Sequence, residues 1–167
     1  MPSADPLFTV IVPTARRSRG VLVGLGDEHL FGPTFRSLAA QTLQDFEVVV
    51  GDCLAGRRDL RAEIAALGAW PFPWRVAPVT GPWLERRRWS AQRAQNEAAV
   101  HADGKVLIFC GDAGEFPPDA LAHAKAWIDK GKQPHFLCVY KRGGALIPLD
   151  GSTDADASGY GSGDGGK

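Results

Sequence analysis

The sequence predicts an α/β domain: a mainly parallel, doubly wound sheet with helices on both faces. Short apolar, β-branched runs alternate along the chain with segments of helical periodicity, the pattern of strands joined by crossover helices. The runs at residues 7–12 and 46–50 are nearly continuously apolar rather than alternating, as in parallel strands covered on both faces. Size agrees with one such domain, since 167 residues with 44% hydrophobic and 23% charged side chains can bury a real core. The domain is assigned to residues 1–150. Residues 151–167 are rich in Gly, Ser and Asp, have almost nothing to bury and are expected to form a flexible tail.

The first strand, residues 7–12, is expected to end at Pro13 and lead into a long loop containing Arg16, Arg17 and several glycines. Gly32-Pro33 then opens a helix with proline at its first position, carrying Phe35, Leu38, Ala39 and Leu43 inward. A second strand at residues 46–50 is followed by a helix over 57–67 that Gly68 closes. A short third strand spans 74–79. Residues 84–102 contain no helix breaker and predict a long helix ending near Gly104. A strand at 105–109 precedes a helix started by Pro117-Pro118, with Leu121, Ala124, Trp127 and Ile128 on one side and Gly131 as its stop. Two last strands, 136–140 and 145–149, are joined through Gly143-Gly144.

Composition excludes several functions. The formal net charge is zero, which gives no electrostatic reason to expect a nucleic-acid partner. No run approaches the roughly 18 apolar residues of a membrane span, and the opening residues lack a signal-peptide pattern, so a cytoplasmic protein is expected. Cys53, Cys110 and Cys138 are far apart with no metal or redox spacing and read as small buried hydrophobes. The four histidines share no spacing that suggests a metal site or a triad.

In an open α/β sheet the ligand crevice lies beyond the carboxyl ends of the strands. The polar residues that follow the apolar runs are Pro13-Thr14 with Arg16 and Arg17, then Asp52, then Asp112 with Glu115 three residues on. Carboxylates there can accept hydrogen bonds from a base or ribose, and arginines suit a diphosphate. Asp52 and Asp112 are therefore expected at the carboxyl ends of neighbouring parallel strands. Trp70, Trp74, Trp83 and Trp89 cluster among prolines and serve either as a sugar-stacking platform or as packing for a crossover loop. Glu85-Arg86-Arg87-Arg88 is either an anion-binding patch or a solvated helix start.

Four segments resemble the inverting, family 2-type glycosyltransferases of GT-A fold, in the family's own order over residues 7–128. Phe8 to Arg17 is similar to its opening strand and Pro-Thr-x-x-Arg loop. Ser37-Leu38-Ala39-Ala40-Gln41-Thr42, running into Phe46 to Asp52, resembles its Ser-Leu-x-x-Gln-Thr helix and Glu-apolar-Asp strand. Arg93 to Ala98 resembles its Ala-Arg-Asn-x-Gly helix, and Phe116 to Leu121 its Pro-Asp-x-Leu segment after the metal motif.

The resemblance implies a nucleoside-diphosphate-sugar donor site, UDP-sugar favoured, with Pro13, Thr14 and Arg17 near base and diphosphate, Asp52 on the base and Asn96 shaping the pocket floor. Asp112 would contact ribose or, with Glu115, a Mn2+ or Mg2+ ion that neutralises the leaving diphosphate. The implied reaction is sugar transfer to a hydroxyl acceptor with inversion. The metal motif departs from the family's Asp-x-Asp-Asp. Here it reads Asp112-Ala113-Gly114-Glu115, with glycine in place of the central carboxylate. The catalytic base is unassigned; Asp150 follows the last apolar run and is either that base or a turn residue before Gly151. These departures keep open a second reading, a GT-A-like binding or assembly module without chemistry. A second copy or a partner chain is the expected source of a completed acceptor site.

Overall fold

The computed structural model describes residues 5–14, 31–54, 58–78, 91–111 and 114–132, with the strand residues 141–142 and 145–146. The elements are β1 (Phe8–Thr14), α1 (Phe31–Ala39), β2 (Phe46–Asp52), α2 (Leu60–Ala66), β3 (Trp74–Pro78), α3 (Ala91–Val100), β4 (Val106–Phe109), α4 (Ala120–Asp129), β5 (Lys141–Arg142) and β6 (Ala145–Leu146). The first four strands form one sheet in the order β3-β2-β1-β4, every pair parallel.

Strand alternation divides the core between two faces. Phe8, Val10 and Val12 of β1 and Phe46, Val48 and Val50 of β2 pack with Phe31, Phe35 and Leu38 of α1, Leu60 and Ile64 of α2, and Leu121 and Ala124 of α4. Ile11, Val49 and Ala77 face the other way and meet Ala98 of α3. Helices thus cover both faces, as the continuous apolar runs predict. α3 lies very close to the sheet: a Cβ on Gly51 would come 2.2 Å from the Ala94 carbonyl oxygen.

Several boundaries differ from the sequence expectation for local reasons. β1 runs through Pro13 to Thr14 rather than ending at the proline. Pairing with β4 stops at Ile11, whose carbonyl accepts the Cys110 N–H at 3.0 Å. Pro13, two residues on, directs its nitrogen to that same unpaired side, so its missing N–H costs the ladder nothing. α2 begins at Leu60, because the Asp59 side chain caps it by accepting the Ala62 N–H at 2.9 Å. α4 begins at Ala120, after the two prolines. It ends in a Schellman motif: Lys132 N–H bonds Trp127 C=O at 2.9 Å and Gly131 N–H bonds Ile128 C=O at 2.8 Å, with Gly131 at φ 68°. Trp127 is not on the buried side but 49% exposed, flanking the Leu121, Ala124 and Ile128 stripe, with the Lys132 ammonium 6.0 Å from its ring centroid.

Residues 15–30, 84–90 and 136–140 and the tail lie outside the described residues. β5 and β6 pair antiparallel across the Gly143-Gly144 position. No helix among the described residues is long and apolar enough to cross a membrane.

Candidate functional site

Thr14 and Asp52 are register partners at the carboxyl ends of β1 and β2. Both are buried, Thr14 fully and Asp52 at 2% exposure. The Cys53 N–H donates to the Thr14 carbonyl at 2.9 Å, which carries the β1–β2 ladder past the last pair. The strand order reverses between β1 and β4, so these residues border the topological switch point of the sheet.

Asp52 is held from two sides. Its Oδ1 accepts the Leu54 N–H at 2.9 Å, an Asx-type turn, and Arg58 Nη2 at 2.8 Å. Among the described residues, its Oδ2 receives only a long contact from Arg58 Nε, at 3.4 Å. Oδ1 is thereby saturated, while Oδ2 retains acceptor capacity for a donor such as the imide N–H of a base.

β2 and β4 are not neighbours, as the sequence reading has them: β1 runs between, pairing with one on each side. Asp112 follows the end of β4 by three positions and lies outside the described residues, as do Arg16, Arg17 and Asp150. Glu115 is described and half-buried. Asn96 is exposed, on the face of α3 opposite the buried Ala94 and Ala98. Among the described residues, no group of three or more His, Cys, Asp or Glu side chains could hold a metal ion. The described part of the nominated donor set is one hard carboxylate, Glu115, chemically suited to Mn2+ or Mg2+.

The tryptophans resolve to packing where described. Trp70, Phe72 and Trp74 surround Phe35 with ring centroids 5.1, 5.7 and 6.1 Å away, and the Trp70 indole N–H donates to Ile64 C=O at 3.3 Å. They sit at the amino end of β3, away from the crevice at the carboxyl ends. Trp83 and Trp89 lie outside the described residues.

Sequence reasoning missed two features. Arg58 belongs to a charged run, Arg57-Arg58-Asp59, whose signal was its position just after a strand-end aspartate. Glu47, 6% exposed in an otherwise apolar strand, anchors a polar network on the α3 face. It accepts Thr9 Oγ1 at 2.8 Å, Asp103 N–H at 2.7 Å and Arg75 Nη2 at 2.5 Å. A lone carboxylate inside an apolar run is itself the signal for such partners.

No protein-family model matches the chain, and no curated protein matches it. Solved structures do. S. aureus TarS 1-349 superposes with a TM-score of 0.56 at 23% identity over 74% of this chain. S. aureus TarS gives 0.51 at 22% identity over 74%. The chain spans 32% and 19% of the length of those two structures. At this identity the likeness shows the fold alone, a GT-A-like α/β arrangement.

Proposed function

We propose that this chain binds a nucleoside-diphosphate sugar, a UDP-sugar in the first instance, and transfers the sugar with inversion to a hydroxyl acceptor. The observation that carries the reading is the Thr14/Asp52 pair, two buried polar residues in register at the carboxyl edge of a parallel sheet, beside its switch point. Asp52 Oδ2 accepts a base N–H, and the Arg17 side chain neutralises the diphosphate; Asn96, exposed on the outward face of α3, is left out of the pocket. A Mn2+ or Mg2+ ion on Asp112 and Glu115 would supply charge neutralisation to the leaving diphosphate. In the transfer itself the acceptor oxygen bonds the anomeric carbon as the carbon–oxygen bond to phosphate breaks. The bonding pair leaves with the nucleoside diphosphate, and the acceptor proton passes to a general base. Asp150 is the first carboxylate to substitute in the search for that base.

A second reading, a binding or assembly module without chemistry, draws on the Arg58 guanidinium already engaged with Asp52 and on Gly114 in the metal motif. The two are separated by titrating UDP, GDP and ADP while recording amide NMR shifts, then assaying sugar transfer across a donor panel. The transferase reading requires saturable shifts at Thr14, Asp52 and Cys53 together with multiple-turnover transfer. Saturable binding without turnover favours a binding module, and no shift at millimolar nucleotide sinks the transferase reading and leaves only the assembly role.

A further inference from the structure

The exit of α1 grips the segment that leads into α4, residue after residue. Ser37 Oγ accepts the Phe116 N–H at 3.0 Å, Gln41 Nε2 donates to Pro117 C=O at 2.7 Å, and Thr42 N–H donates to Pro118 C=O at 2.8 Å. Gln41 Oε1 then accepts the Leu121 N–H at 3.1 Å. Later residues of one partner bond later residues of the other, so the segment runs alongside α1 in the helix's own direction. α1 follows β1 and returns to the start of β2, so that direction leads from the carboxyl edge of the sheet to its amino edge. Glu115, one residue ahead of the first anchor, is therefore held at the end nearer the crevice.

Both anchoring side chains are themselves fixed. Gln41 is 4% exposed and its amide also donates to Ser37 C=O at 3.1 Å, while the Ser37 hydroxyl donates to Thr34 C=O at 2.8 Å. Upstream, the Cys110 N–H bond to Ile11 and a 3.1 Å bond from Gly114 N–H to Gly111 C=O tie down the other side of Glu115.

We propose that Ser37 and Gln41 are positioning residues for Glu115, setting by these backbone anchors where its carboxylate stands at the edge of the crevice. Residues 114–118, anchored by these bonds, surrender their conformational freedom on folding, so that their ordering is not charged against ligand binding. The inference rests on reading the crevice as a nucleoside-diphosphate site.

The test uses the whole chain with UDP and Mn2+ as probes. Gln41→Leu leaves the Leu121 N–H without its acceptor and strips from Pro117 C=O its side-chain donor, leaving it the Ala120 N–H. Amide exchange across residues 114–121 accelerates roughly tenfold while β1 to β3 keep their rates, and UDP affinity in Mn2+ falls about tenfold. Ile64→Val, a core change of moderate cost on α2, moves neither readout. Ser37→Ala shifts both in the same direction as Gln41→Leu, and Ser37→Thr restores them; this pair decides the matter if Gln41→Leu does not fold. Faster exchange spread uniformly along the chain, or faster local exchange with UDP affinity intact, overturns the inference. A wild-type chain that binds no nucleoside diphosphate instead sinks the reading of the crevice, and this inference with it.

Discussion

Arg58 and Asp52 form a shielded ion pair at the carboxyl end of β2, 2.8 Å from Nη2 to Oδ1, with side chains 9% and 2% exposed. Removing one member of such a pair is costly because the other charge stays buried. Arg58→Ala is therefore expected to destabilise the fold by roughly 3 kcal/mol. Adding Asp52→Asn should recover part of this, since the amide carbonyl still accepts the Leu54 N–H and no charge is left stranded. Urea unfolding of the three proteins decides it; a double variant less stable than Arg58→Ala alone would contradict the argument.

The Glu47 network makes a second prediction. Glu47→Gln keeps one acceptor oxygen for Thr9 and Asp103 but turns an amide N–H toward the Arg75 guanidinium, donor against donor. A loss of roughly 1–3 kcal/mol follows, read from denaturant midpoints. Burial alone would lower the Arg75 pKa; the hydrogen bond to Asp103 and the charge and hydrogen bond of Glu47 outweigh it and raise the value. A raised folded-state pKa contributes stability fully present below the unfolded pKa and lost only as pH rises through the folded one. Arg75 itself should therefore add no slope to stability between pH 5 and 9, values roughly three or more units below the arginine range.

The parallel sheet was legible because β1 and β2 are buried on both faces and so read as unbroken apolar runs. Asp52 was legible because it ends such a run. Its partner Arg58 was not, because a loop arginine's direction depends on a turn, here the Asx turn at Leu54, that pattern alone does not specify. Trp127 was misplaced since helical periodicity gives a stripe about 100° wide, and a residue at its flank can face either way. Ser37 and Gln41 stood out only as motif residues; their partners lie more than 75 residues away in sequence, beyond any local periodicity.

Glycine substitutions should separate close packing from backbone conformation. Gly51→Ala places a methyl 2.2 Å from the Ala94 carbonyl, backbone against backbone. It should cost about 3 kcal/mol or prevent folding. Gly131→Ala meets nothing within 4 Å but must hold φ 68° in the Schellman turn, worth roughly 1 kcal/mol. Thermal unfolding ranks the two, and equal losses would mean that α3 can shift off β2.

The metal proposal makes the last prediction, which concerns UDP affinity in the presence and absence of Mn2+. In the run Asp112-Ala113-Gly114-Glu115 the two carboxylates are Asp112 and Glu115, and the longer Glu side chain must span what an aspartate at position 114 would reach. Asp112 and Glu115 would hold the ion through hard oxygen donors, and the ion would neutralise the diphosphate. UDP binding should then strengthen about tenfold on adding Mn2+, whereas Glu115→Ala should bind with the same weak affinity whether or not Mn2+ is present. Glu115→Asp, one methylene short, should fall between. Calorimetric titration reads all three, with circular dichroism to show that each variant is folded. Wild-type affinity that is indifferent to Mn2+, Mg2+ and chelator would remove the cation from the site and leave the diphosphate to Arg16 and Arg17.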